Sequence, residues 1–132
     1  MMLTPITIDE LYVYIKIAFD GDTELPVYHI SDSKFAWHTY EEIIKTAKIL
    51  PLTYYKVGDF GFTVTSPGLL YSFGINVAHR DKETLQKWFA EIKDILITFD
   101  CALHGKNSRA ILHLVKQGMR IKEHMTILTF NN

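Results

Sequence analysis

Residues 52–77 read LTYYKVGDFGFTVTSPGLLYSFGINV, and this stretch decides the class of fold. Leu52 to Val57, Phe60 to Thr65 and Leu69 to Val77 are β-branched and aromatic runs, separated by Gly58-Asp59 and Ser66-Pro67-Gly68. Runs of that composition divided by short turn signals predict a three-stranded antiparallel meander. Immediately after it, Leu85, Trp88, Phe89, Ile92, Ile95, Leu96 and Phe99 recur at three- and four-residue steps while Lys87, Glu91, Lys93 and Asp94 fall between them. That period is helical, and Asp81 stands where an N-cap belongs. Upstream, Thr7-Ile8-Asp9-Glu10 is a capping box that opens a first helix carrying Leu11, Ile15, Ala18 and Phe19, ended by Gly21-Asp22. A second box, Thr39-Tyr40-Glu41-Glu42, predicts a helix with Ile43, Ala47 and Leu50 on one face, stopped by Pro51; Thr23 to His38 then reads as loop. Leu3 to Ile6 makes a weak first strand. Downstream, Cys101 to Leu103 suits a strand after the crossover, Asn107 caps a short helix that Gly118 ends, and Met119 to Phe130 closes the chain as a strand that folds near Glu123-His124. The expected fold is α+β, with a mixed, mainly antiparallel sheet and flanking helices, in one domain over residues 1–132.

Composition narrows the functional classes without choosing among them. With 132 residues, 48% apolar and 13% aromatic, the chain has enough apolar material for a core, which excludes disorder. Fourteen basic residues against fifteen acidic ones, a net charge of -1, provide no global field for nucleic acid or an anionic membrane. The single cysteine, Cys101, lies in an apolar stretch and reads as an inert buried thiol. The N-terminal residues show neither a basic nor an apolar leader region, and charges interrupt every apolar run before membrane-spanning length, so a cytoplasmic location is expected. The six histidines have no ligand-pair spacing, and no metal site is expected.

The element order resembles the GCN5-related N-acetyltransferase (GNAT) fold, and the local likeness is in Asn107-Ser108-Arg109-Ala110-Ile111-Leu112-His113-Leu114-Val115-Lys116-Gln117-Gly118-Met119. An Asn, an Ala three residues on, an apolar helix face and a Gly eleven residues after the Asn look like that family's penultimate motif. The resemblance implies acetyl-coenzyme A as cofactor, its pyrophosphate held at a glycine-rich loop before the long helix. There the free backbone N-H groups and the positive end of the helix dipole meet the phosphates. Two features depart from this pattern. The loop reads Val77-Ala78-His79-Arg80-Asp81-Lys82-Glu83-Thr84, without glycine and with acids where the phosphates would lie, and Leu114 stands where the family often has a Tyr that protonates the coenzyme thiolate. A similar glycine-poor loop and C-terminal pattern occur in small acetyltransferase-like proteins of short-tailed phages. That resemblance implies a non-catalytic protein of virion assembly, or a virion component, acting on a phage or host protein in the host cytoplasm.

The alternative is an active acetyl-coenzyme A-dependent N-acetyltransferase. Val77, Arg80, Lys82 and Asn107 are then the cofactor-binding candidates, backbone N-H groups near Ile75 to Val77 hold the oxyanion, and His79 is the catalytic candidate with Asp81 to orient it. Competing readings make His79 a solvated loop residue and Asn107 a helix cap. Charge is uneven along the chain: residues 1–50 hold eight acids and four bases, while Cys101 to Lys122 holds Lys106, Arg109, Lys116, Arg120 and Lys122 and no acid. The basic segment is a candidate patch for a phosphate-bearing cofactor, nucleic acid or an acidic protein partner, or else a solvated face balanced by the acidic half.

Overall fold

The middle strand of the meander shows no alternation of buried and exposed positions, and the architecture explains why. The computed structural model describes residues 2–22, 32–96, 100–102, 120–123 and 127–129. Its elements are β1 (Leu3–Ile6), α1 (Ile8–Phe19), α2 (Asp32–Ala47), β2 (Thr53–Val57), β3 (Gly61–Ser66), β4 (Leu69–Ile75), a 3₁₀ turn (Val77–His79), α3 (Lys82–Ile95), β5 (Asp100–Ala102), β6 (Arg120–Glu123) and β7 (Ile127–Thr129). Among the described residues the strands form a seven-stranded sheet in the order β1-β2-β3-β4-β5-β7-β6. The pairing is antiparallel except between β4 and β5, which run parallel. This is the α+β arrangement, mixed and mainly antiparallel, that the sequence predicts.

Every residue of β3 is buried, because helices cover both faces of the sheet. On one face α3 packs Trp88, Phe89 and Ile92 against Val57, Leu70 and Ile75, with Leu3 beside them and Tyr55 and Phe73 partly buried around them. On the other, Leu11, Ile15, Ala18 and Phe19 of α1 and Ala36 and Ile43 of α2 pack on Phe62 and Val64. Thr63 points into the α3 face, where its hydroxyl accepts a 2.9 Å hydrogen bond from the indole N-H of Trp88, so neither polar group is buried without a partner. At Gly74 an added Cβ would lie 2.8 Å from the Phe62 ring and 3.1 Å from Ala18, so α1 approaches the β4 backbone more closely than any side chain allows. Gly68, in the β3–β4 turn, has φ 73°, the left-handed conformation that glycine adopts without strain.

The Thr7 box forms as predicted: Thr7 Oγ1 accepts from Glu10 N at 3.2 Å, and Glu10 Oε1 accepts from Thr7 N at 3.0 Å. The Thr39 box does not open a helix. α2 starts at Asp32, seven residues earlier, and carries Thr39 in its interior. Burial overrides the local motif here, because Ala36 continues the Ile43 face toward the N-terminus and the Phe35 ring meets Phe19 edge-on at 4.8 Å. Two smaller expectations also change. β4 ends at Ile75 rather than Val77, and Ile95, assigned to the apolar face of α3, is 40% exposed in its last turn. The expected helix from Asn107 to Gly118 lies outside the described residues.

Candidate functional site

Among the described residues the sheet has one parallel pairing, between β4 and β5, and the chain changes from antiparallel to parallel order there. The described pairs are Leu69–Asp100 and Leu70–Cys101. In open sheets the carboxyl ends of parallel strands at such a switch point are where ligands bind. A β-bulge lies beside it, between β3 and β4. Val64 faces Ser72 while Thr65 faces Leu70, leaving Tyr71 as the extra residue. The bulge turns Tyr71 toward α2, where its hydroxyl and that of Thr46 lie 2.7 Å apart.

Past β4 the chain enters the loop that the sequence singles out, and its polar groups turn inward. Asn76 caps the 3₁₀ turn through Oδ1, which accepts from Ala78 N at 3.0 Å. The same side chain donates to the carbonyl of Ile17 at 2.8 Å and to that of Asp20 at 3.3 Å, tying the end of β4 to the last turn of α1. His79 N donates to Asn76 O at 2.8 Å and Arg80 N to Val77 O at 3.4 Å. Asp81 caps α3, its carboxylate accepting from Thr84 N at 3.0 Å and from Thr84 Oγ1 at 2.8 Å. The Thr84 backbone N-H, then its hydroxyl, hold the Asp81 carboxyl below the usual aspartate range. Glu83, in the first turn of α3, pairs with Lys87 at 3.0 Å.

The candidate residues take separate positions around this loop. Val77 and Lys82 are exposed, at the start of the 3₁₀ turn and of α3 respectively. Arg80 turns back into the structure: its Nε donates to Ile75 O at 2.8 Å and its terminal nitrogens grip the Asp22 carboxylate. The Asp22 side chain is only 6% exposed and that of Arg80 22%, so the ion pair is shielded and joins the end of α1 to the start of α3. His79 is exposed and lies flat on the Phe60 ring, with centroids 4.1 Å apart and planes within 8°. Both Asp81 oxygens go to Thr84 rather than to the imidazole. Asn107, Lys106, Arg109 and Lys116 lie outside the described residues. Arg120 and Lys122 lie in β6, at the sheet edge.

The sequence does not reveal Asn76, Asp22 or Tyr71 as part of this junction. Asn76 and its acceptor Ile17 are 59 residues apart, and Asp22 and Arg80 are 58 apart, so no local spacing links them. Among the described residues no group of three or more His, Cys, Asp or Glu is placed to hold a metal ion. No helix among them is long and apolar enough to cross a membrane.

No protein-family model matches the chain, and no curated relative matches it. Solved structures do. The chain superposes on an acetyltransferase from Thermus thermophilus with a TM-score of 0.58 and 15% identity, over 98% of this chain and 94% of that one. A possible acetyltransferase from Clostridium difficile gives 0.58 and 13%, over 92% and 91%. A protein of Pyrococcus horikoshii gives 0.59 and 17%, over 96% and 94%. The fold is GNAT-like. At these identities the likeness is one of architecture, and the acetyltransferase neighbours share the arrangement of flanking helices on a mainly antiparallel sheet.

Proposed function

We propose that this chain is a non-catalytic member of the acetyltransferase-like architecture that works through protein contacts, as an assembly factor or component of a phage virion. The observation that carries the non-catalytic part is the self-capped start of α3. A pyrophosphate at a helix N-terminus needs unobstructed N-H groups and the positive dipole end. Here the N-H groups of Ala78, His79, Arg80 and Thr84 already donate within the chain, and the Asp81 carboxylate occupies the dipole end. An anionic ligand at the Thr84 N-H would have to displace the Asp81 carboxylate from its hydrogen bonds while Glu83 repels it. Arg80, the nearest fixed cation, is committed to Asp22 and the Ile75 carbonyl. Among the described residues, those at the start of α3 do not offer the cradle that the pyrophosphate of acetyl-coenzyme A needs. The virion part is supported by the resemblance of the glycine-poor loop and C-terminal pattern to small phage proteins.

The second reading is an acetyl-coenzyme A-dependent N-acetyltransferase. It is favoured by the parallel β4–β5 pairing beside the Tyr71 bulge, and by the acetyltransferases among the structural neighbours. Melting with millimolar acetyl-coenzyme A separates the two. A ligand at a hundred times its dissociation constant stabilises a fold by about 2.7 kcal/mol. No shift is expected, and a rise of several degrees overturns the non-catalytic reading. The gene is expected among head and tail genes; a place in a metabolic operon would overturn the virion assignment.

A further inference from the structure

Among the described residues the sheet ends at β1, and the outer side of an end strand is a row of backbone groups on which another chain can pair. The register tells which residues face outward. The Met2 carbonyl accepts from Gly58 N at 2.8 Å, so Met2, and by alternation Thr4 and Ile6, turn their backbone groups toward β2, opposite Lys56 and Tyr54. Leu3, Pro5 and Thr7 turn theirs away from the sheet. None of the three has a backbone donor to offer a further strand. The Leu3 N-H donates to Glu91 Oε1 at 3.2 Å, Pro5 carries no N-H, and the Thr7 N-H donates to Glu10 Oε1 at 3.0 Å.

The Thr7 bond belongs to the helix cap and Pro5 is fixed by the sequence, but Glu91 comes from α3, 88 residues from Leu3. Its carboxylate also takes the Met2 N-H, at 3.0 Å on Oε1 and 2.9 Å on Oε2. An ionised carboxylate accepts and never donates, so it consumes the outward N-H at this edge and puts no new donor in its place. It also sets a negative charge against the strand, and charge at an edge is one of the means by which sheets avoid pairing with one another. We propose that Glu91, with Pro5, guards the β1 edge and keeps a second copy of this chain from adding its own β1 there. A second β1 is the occupant that fits the unguarded edge: antiparallel pairing centred on Leu3 lets each Leu3 N-H meet the carbonyl of the other Leu3. The inference goes beyond the proposed function and holds under either reading of the loop before α3.

Sedimentation velocity over a wide range of concentration, paired with hydrogen exchange at the Leu3 amide, tests the proposal on two variants. Glu91→Ala removes the acceptor, and Pro5→Ala returns an outward N-H while leaving Glu91 and the core in place, since Pro5 is exposed. Both are expected to self-associate more readily than the wild type, and the double variant at roughly tenfold lower concentration than either. In Glu91→Ala the Leu3 amide should exchange fast when dilute and slowly when concentrated, because the second β1 then covers it. Adding Thr4→Lys, a charge at an exposed position of the same edge, should reverse the association. Variants that associate no more than the wild type overturn the proposal. So does association that leaves the Leu3 amide unprotected or that Thr4→Lys does not reverse, because the contact then lies elsewhere. So does a wild type that already associates in a way Thr4→Lys abolishes, since its edge is then open. If Glu91→Ala does not fold, Pro5→Ala decides alone, read by sedimentation and its Thr4→Lys reversal. The acetyl-coenzyme A melt concerns the start of α3, and neither outcome there alters this result.

Discussion

The two tryptophans of the chain stand in opposite situations, and they mark two regions with opposite uses. Trp88 lies under α3, 1% exposed, its N-H satisfied by Thr63 and its ring against Phe73 at 4.8 Å. Around it the protein closes on itself, and at the nearby β4–α3 junction Asn76, Arg80 and Asp81 all direct their polar atoms to other parts of the same chain. Trp37 is 48% exposed beside Tyr12 and Tyr40. Polar groups at the end of β4 and the start of α3 are engaged within the chain, while an aromatic ring is left open on α2.

The sharpest way to break that contrast is to truncate both rings. Trp88→Ala should cost about 3–5 kcal/mol, the range for removing a large buried aromatic and leaving a cavity. Trp37→Ala should change stability by under about 1 kcal/mol, because only edge and stacking contacts are lost. Urea titrations of the two variants measure this. Comparable losses would mean that Trp37 belongs to the core.

The next effect in size concerns the junction itself. Asp22→Ala removes the carboxylate that faces Arg80 in a shielded setting and should cost about 2–3 kcal/mol, with Arg80→Ala costing nearly as much and the double variant little more than either. A double-mutant cycle by chemical denaturation reads the coupling. Additive losses would show that the two side chains act separately and that the junction is not closed by this pair. Smaller again is Tyr71→Phe, which deletes the 2.7 Å contact with Thr46 and should cost about 1 kcal/mol. Should it prove neutral, the bulge is held by β4 alone rather than by α2.

The same contrast explains what is legible in the sequence. Elements whose causes are local can be read from it: the Thr7–Glu10 box, the Asp81 cap, the turns at Gly58 and Gly68, and the α3 face with Trp88, Phe89 and Ile92 inward. α2 is misread because a real capping pattern at Thr39 falls within a helix whose extent is set by packing of Phe35 and Ala36, a tertiary cause. The site is half legible. A loop without glycine and with Asp81 at the helix start announces a filled N-terminus, but the Asn76 strap and the Arg80–Asp22 pair connect residues nearly half the chain apart. Arg80 and Asp22 each look like ordinary surface charges until the fold brings them together.

The smallest expected effect is the dependence on acid, and it tests whether the α3 cap is of the same kind as the α1 cap. Hydrogen bonds to the charged form hold both carboxyls below their ordinary ranges, Glu10 chiefly through the Thr7 backbone N-H and Asp81 chiefly through that of Thr84. A carboxyl whose pKa is lowered by folding contributes stability above its unfolded value and loses it as pH falls through the folded one, because the unfolded chain takes up the proton first. The contribution should therefore be intact at about pH 6 and decline below about pH 4, where unfolded aspartate and glutamate begin to protonate. Asp81→Asn keeps an acceptor for the Thr84 N-H but has no proton to take up, so its stability should fall less than that of the wild type between about pH 6 and pH 3, and Glu10→Gln should behave alike at α1. Urea midpoints at the two pH values measure the differences. An Asp81→Asn protein that loses as much stability in acid as the wild type would mean that Asp81 is not held by Thr84, which would leave the positive end of α3 open to an anion and make the cleft a binding surface again.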